Sequence, residues 1–292
     1  MGIDRKFAVL LMEEARRRTF SGAVLQLGKQ DLTVTWPQLR KLAKRLEFSS
    51  AFQPPGDDQL VSDVDFFKWL GFDRVMSLDG SAFEGADVVL DMNAKVLPDD
   101  LNQAFDVVFD GGTMEHVFDT PQFLRNAAAM LKVGGRVIHL SPTFNHVNHG
   151  FYAYSPTLFL DYYRANEFDL HTVLLVKHSL NGAFSCNCLD PQVFARTSKL
   201  TGFSGAYYSW TVAEKTATSR SDVTPQQGTY VVLWTEGDET PAPASGIYGT
   251  LKKLYRKNAL WFRVLHWSRR RFINSWIYRR HAQRSINWRR FA

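Results

Sequence analysis

From Phe105 to Pro142 the chain reads strand, loop, helix, turn and strand. Phe105–Phe109 (FDVVF) is an apolar run broken only by Asp106, the pattern of a strand covered on both faces. Asp110, Gly111 and Gly112 end it. Asp119, Thr120 and Pro121 open a helix that bears Phe123, Leu124, Ala127, Ala128 and Leu131, and Gly134 with Gly135 closes it. Arg136–Leu140 is the next strand, ending at Ser141 and Pro142. Strand, crossover helix and strand within about 36 residues make a βαβ unit, whose strands lie parallel and whose crossover is right-handed. A parallel pair needs cover on both faces, so the unit commits its surroundings to an α/β layered fold.

The upstream sequence supplies more of the same. Ala23–Leu27 is a short apolar strand ending at Gly28. Thr35 with Pro37 starts a helix that carries Leu39, Leu42 and Leu46 at helical spacing. Ser49–Asp58, with Pro54, Pro55 and Gly56, is a loop. Ser62 and Asp65 have capping-box spacing before Phe66, Phe67, Trp69 and Leu70, and Gly71 is a C-terminal stop. Arg74–Leu78 and Asp87–Leu90 are further strands, ending at Asp79 and Asp91. A helix over Ser155–Ala165 follows the βαβ unit, and Leu170–Val176 and Thr229–Trp234 read as late strands, an antiparallel pair. The organisation is an N-terminal helix over 1–20, an α/β domain over 21–236 with an insertion or lid at about 185–228, a linker over 237–250 and a tail over 251–292.

Composition narrows the class. The 292 residues are 45% hydrophobic and 22% charged, within the range of globular chains. Cys186 and Cys188, the only cysteines, exclude a disulfide framework and a four-cysteine zinc site. Phe7–Met12 and Val173–Val176 fall far short of the about 18 apolar residues a membrane span needs. Glu13 and Glu14 follow Phe7–Met12 too soon for a signal peptide, so a reducing, cytoplasmic setting is expected. Charge is unevenly placed. The formal net charge is +6, yet 13 of the 35 lysines and arginines fall in Leu251–Ala292, where there is no acid. The globule is acidic and the tail is basic.

Ligands of an open parallel sheet bind beyond the carboxyl ends of its strands, and here those ends carry Gly28, Asp79, Asp91 and Asp110. A glycine that lets backbone approach a ligand and carboxylates that accept from ribose hydroxyls or an adenine amino group suit a bound nucleoside. An aspartate at a strand end also caps the turn that follows it, the commoner use of any one of them.

The stretch FDVVFDGGTMEHVFDTPQFLRNAAAMLKVGGRVIHLSP resembles the second half of a class I S-adenosylmethionine-dependent methyltransferase. The shared marks are the Phe-Asp strand, Glu115-His116 opening a loop, the helix ending Leu-Lys-x-Gly-Gly, and the strand running to proline. The resemblance implies a doubly wound, mostly parallel, Rossmann-like sheet with S-adenosylmethionine as cofactor. It places Gln26 and Gly28 in the first turn beside the methionine part, and Asp79 on the ribose hydroxyls. Asp91, Met92 and Asn93 fall near adenine, Asp110, Gly111 and Gly112 beneath the sulfonium, and Glu115 and His116 where cofactor and acceptor meet. The first turn departs from the family pattern: it has one glycine, and Gln26 stands where an acid is usual, with Asp31 nearby.

A hydroxyl acceptor needs a base within reach, and the candidates are His116, His146 and His149. The last two lie in Thr143–Tyr154 (TFNHVNHGFYAY), beyond the last strong strand. A metal on His146 and His149 would need a third ligand, His116 or Asp110, and no metal is expected. In the tail, tryptophan, tyrosine, phenylalanine and arginine interleave on amphipathic helical stretches, which suits the headgroup layer of an anionic membrane surface. The expectation is methyl transfer, as O-methylation, to a small-molecule or sugar/glycan acceptor by a peripheral membrane protein. The alternatives are a non-catalytic binding module of the same fold and an RNA methyltransferase recruited by its tail.

Overall fold

The computed structural model describes residues 2–54, 56, 60–179, 182–190, 193, 197, 205–228, 230–231 and 288–291. The chain divides into two units. The first comprises Met1–Leu189, Ser204–Thr224 and Trp288–Ala292; the second comprises Asp190–Phe203 and Pro225–Asn287.

The first unit is a sheet with helices on both faces. Its strands are β1 (Ala23–Leu27), β2 (Arg74–Asp79), β3 (Val88–Val89), β4 (Phe105–Asp110), β5 (Leu131–Phe144), β6 (Asp169–Ser179), β7 (Gly182–Asn187), β8 (Ala206–Glu214) and β9 (Arg289–Arg290). Their order is β3-β2-β1-β4-β5-β8-β6-β7-β9. The pairings from β3 through β5 are parallel, and those of β8, β6, β7 and β9 are antiparallel. The order reverses between β1 and β4, the switch point of a doubly wound sheet.

Period-two alternation explains the two cores. On one face Val24, Val107, Ile138 and Val212 pack with helices α1 (Arg5–Arg17), α2 (Trp36–Leu46) and α3 (Asp63–Leu70). On the other, Leu25, Val108, Val137 and Ala213 pack with α4 (Thr120–Met130) and α5 (Pro156–Ala165). Cover on both faces is why β1 is buried at all five positions. The helix starts are capped as their sequences predict. Asp65 N–H donates to Ser62 Oγ at 3.0 Å, Gln122 N–H donates to Asp119 Oδ1 at 3.0 Å, and Thr35 N–H donates to Gln38 Oε1 at 3.1 Å. Gly71 ends α3 at φ 120°, where a Cβ would lie 2.6 Å from the Phe20 carbonyl oxygen.

Four expectations are corrected. α4 stops at Met130 rather than at Gly134-Gly135, because Leu131 already pairs with Phe105 and an irregularity carries β5 on to Arg136 opposite Val107. The segment 185–228, read as an insertion or lid, contains β8, which fills the slot between β5 and β6. Of Thr229–Trp234, read as a strand, only Tyr230 and Val231 are among the described residues, and these are helical and donate to the Gln227 carbonyl at 2.9 and 3.2 Å. Finally, at the far end of the tail expected to be helical, Arg289–Arg290 pair with β7, Phe291 N–H donates to the Ala183 carbonyl at 3.1 Å, and Phe291 is buried. That pairing covers the edge β7 would otherwise expose. The linker 237–250 and tail residues 251–287 lie outside the described residues. Among the described residues no helix is long and apolar enough to cross a membrane.

Candidate functional site

The carboxyl ends of β1, β2, β3 and β4 surround a cavity of about 340 Å³, the lower end of the range for small-molecule sites. Gly28 turns the chain out of β1 at φ 75°, and a Cβ there would lie 2.3 Å from Thr113 Oγ1. Thr113 Oγ1 donates to the Leu27 carbonyl at 2.6 Å, so the first and fourth strand ends are tied together under the cavity floor. Gly112, at φ 97°, stands beside it.

The acids at the strand ends combine both uses weighed from the sequence. Asp79 Oδ1 accepts from Ser81 N–H at 3.1 Å, and Asp91 Oδ1 accepts from Asn93 N–H at 2.8 Å and Asn93 Nδ2 at 2.7 Å. Each therefore caps its own turn with one oxygen. No described residue donates to the second oxygen of either, and both aspartates line the cavity.

Asp110 is different. It is fully buried, and both its oxygens are committed within the protein. Oδ1 accepts from Thr113 N–H at 2.9 Å and Met114 N–H at 3.2 Å, and Oδ2 lies 2.8 Å from His139 Nδ1. His139 Nε2 in turn lies 2.6 Å from Tyr163 Oη. A carboxylate only accepts, so Nδ1 carries the proton, and a neutral ring then accepts at Nε2 from the tyrosine hydroxyl.

Met114–His116 form one 3-10 turn after β4. It drops Glu115 into the interior and leaves His116 exposed on the cavity rim. Burial, and then the charge of Asp110, push the Glu115 carboxyl up to about 8. Burial and the neighbouring His149 lower the His116 pKa, and burial lowers that of His146. The loop after β5 folds back onto this turn: Phe151 N–H and Tyr152 N–H donate to the Glu115 carbonyl at 2.8 and 3.3 Å. The fold-back brings the His116 and His149 rings to 5.2 Å and the His146 and His149 rings to 5.7 Å. His146 Nε2 is engaged by the Tyr207 carbonyl at 3.1 Å. Phe118, Phe151 and Tyr152 form an exposed aromatic group beside the histidines, with Phe118 edge-on to Phe151 at 5.7 Å.

Of the residues singled out from sequence, Gly28, Asp79, Asp91, Met92, Asn93, Gly112 and His116 line the cavity. Gln26, Asp110, Gly111 and Glu115 are buried beside it rather than lining it. Gln26 faces the α3 side of β1, and its amide donates to Asp63 Oδ2 at 3.0 Å. His146 and His149 lie on the loop after β5, off the lining. Sequence reading passed over Lys29, Gln30, Glu84 and Thr113, which do line it. Gln30 stands in the first turn, beside the glycine already singled out, and its Oε1 is buried without a hydrogen-bond partner.

No protein-family model and no curated protein matches the chain. Solved structures do. A possible histamine N-methyltransferase from Thermotoga maritima is 17% identical over 72% of this chain and 90% of its own, with a TM-score of 0.35. A putative methyltransferase complex with the Trm112 activator from Haloferax volcanii gives 17% identity over 74% and 92%, with a TM-score of 0.39. Geranyl diphosphate C-methyltransferase from Streptomyces coelicolor A3(2), solved with Mg2+, geranyl diphosphate and S-adenosyl-L-homocysteine, gives 15% over 71% and 79%, with a TM-score of 0.39. The assignment to a doubly wound sheet stands on the strand order and register above.

Proposed function

We propose that this chain is an S-adenosylmethionine-dependent methyltransferase whose cofactor occupies the cavity at the ends of β1–β4. The observation that carries this reading is the pair Asp79 and Asp91, each lining the cavity with one carboxylate oxygen left over by the protein's own hydrogen bonds. The donor set fits the cofactor. Asp79 would accept from ribose hydroxyls, Asp91 and Asn93 would flank the base, and Gly28 and Gly112 admit close backbone approach. When bound, the cofactor supplies an electrophilic methyl group on a sulfonium.

The chain's remaining task is to align an acceptor and keep water out. Burial, with His149 beside it, lowers the pKa of His116 on the rim, which favours the neutral imidazole whose lone pair can take an acceptor proton. Phe118, Phe151 and Tyr152 offer flat apolar surface beside it. This supports O-methylation of a small-molecule or glycan hydroxyl.

The test is calorimetric titration with S-adenosylhomocysteine. Micromolar binding is expected, and Asp79→Ala should weaken it tenfold or more, about 1.4 kcal/mol. Absence of heat and of thermal stabilisation at saturating ligand would overturn the reading.

The basic, aromatic residues of 251–287 support peripheral attachment to an anionic membrane. Vesicles containing phosphatidylserine should retain the full-length protein, and a full-length variant with the lysines and arginines of 251–287 replaced by glutamine should remain in the supernatant. Equal retention of the two would remove that assignment.

A further inference from the structure

Glu115 is a fully buried carboxyl, and neither of its side-chain oxygens has a hydrogen-bond partner. The nearest polar side-chain atom recorded is His149 Nε2, 3.5 Å from Oε1. A buried carboxyl without partners, charged or protonated, leaves polar atoms unsatisfied at a cost in stability, and an orphan of this kind marks a place that a bound water or ion can complete. Glu115, His116 and His149 each offer one ligand atom, and these three atoms lie within 4.8 Å of one another.

The site is built rather than incidental. The turn after β4 sets Glu115 and His116 side by side, and the loop after β5 is held over them by two backbone hydrogen bonds to the Glu115 carbonyl. Gly150 lies against the Glu115 backbone so closely that a Cβ would come within 2.7 Å of its carbonyl oxygen. Both imidazoles sit on the surface side of the cluster, about a third exposed in the case of His149. Their movement inward by an ångström or so gives metal–ligand distances of about 2.0–2.2 Å.

We propose that Glu115, His116 and His149 form a three-ligand site for a borderline divalent transition metal of the zinc class at the rim of the cavity. Two imidazoles and one carboxylate select such an ion over the hard, oxygen-seeking Mg2+ and Ca2+. Three protein ligands leave a coordination position open, as in catalytic rather than structural zinc sites. The position beside His116 adjoins the cavity; an ion there takes up the His116 lone pair and, in place of the imidazole, orients and acidifies a hydroxyl bound beside it. That last role, unlike the site itself, rests on the reading of the cavity as a cofactor pocket.

The test uses full-length protein stripped with a chelator, titrated with Zn2+ against a chromophoric chelator and separately with Co2+ while the visible spectrum is recorded. One ion per chain is expected. The Co2+ form should show weak ligand-field bands without the intense thiolate charge-transfer band that Cys186 and Cys188 would give. His149→Ala and Glu115→Gln should each weaken binding at least about tenfold. His171→Ala, a histidine paired with Arg18 and Glu214 on another part of the surface, should not change it. Thermal unfolding of the metal-free variants checks that both fold. No binding at micromolar Zn2+, a thiolate band, or equal affinity in parent, His149→Ala and Glu115→Gln would each overturn the site. S-adenosylhomocysteine titrated into the same samples separates the two ideas. Nucleoside binding without metal binding sinks the metal site alone, and metal binding without nucleoside binding sinks the cofactor reading alone.

Discussion

Arg136→Ala is expected to lower folding stability by about 3–5 kcal/mol, read as a lower urea midpoint with an unchanged slope. Arg136 opens the buried part of β5 and reaches across to the end of α1. Its Nη1 donates to Glu14 Oε1 at 2.7 Å, and both side chains are less than a tenth exposed. Nη2 donates to the carbonyls of Arg18 and Thr19 at 3.1 and 3.3 Å, just past the C-terminus of α1, where positive charge is favoured. The guanidinium also lies 4.6 Å from the centre of the Phe20 ring. Truncation therefore strands a buried carboxylate, frees two carbonyls and uncovers an aromatic ring. Most of the loss belongs to the stranded charge rather than to the pair, because two desolvated ions offset much of their own attraction. The double variant Glu14→Met, Arg136→Met should consequently be less damaged than Arg136→Ala alone. A double variant that loses the sum of the two single losses would refute this account of the pair.

Glu14 also shows where the sequence was legible and where it was not. The charges at 13 and 14 were readable as a break in an apolar run, but not that one of them would end 2% exposed against an arginine more than a hundred residues away. The strands β1, β2, β4 and β5 announced themselves because each is a short, mostly apolar run between turn residues, interrupted inside at one polar position, Gln26, Ser77, Asp106 and His139 in turn. β8 did not. Its Ser209 and Thr211 interrupt the apolar pattern within the segment read as an insertion or lid, yet both are fully buried, registered opposite Ser141 and His139 in the middle of the sheet. Polar residues paired across strands inside a core defeat the rule that alternation marks an exposed face. The candidate site divides in the same way. Gly28, Asp79 and Asp91 were visible because ligand contacts of a parallel sheet cluster at strand ends, which turn residues mark in the sequence. Tyr163, on a helix, and His139, inside an apolar strand, gave no signal beyond core packing. The approach of His149 to Glu115 depends on a loop folding back across more than thirty residues, which no local pattern encodes.

Asp110 should separate two kinds of loss at one position. Asp110→Ala is expected to cost about 3–5 kcal/mol, since it leaves the N–H groups of Thr113 and Met114 and the Nδ1–H of His139 without acceptors in a dry interior. Asp110→Asn should cost only about 1–2 kcal/mol. The amide oxygen can still accept from the two backbone groups. Its NH2 then faces His139, whose ring can answer by moving its proton to Nε2, accepting at Nδ1 and donating to Tyr163 Oη. The chain of hydrogen bonds survives with its direction reversed. The same contrast should appear at the cavity, because the turn that Asp110 holds carries Thr113, whose hydroxyl is bonded to the Leu27 carbonyl beside Gly28. Asp110→Ala should therefore weaken S-adenosylhomocysteine binding along with stability, while Asp110→Asn keeps most of both. The comparison is made on urea midpoints and calorimetric affinities of the two variants under one set of conditions. Equal destabilisation by alanine and asparagine would mean that the charge itself, and not the pattern of acceptors, holds the turn.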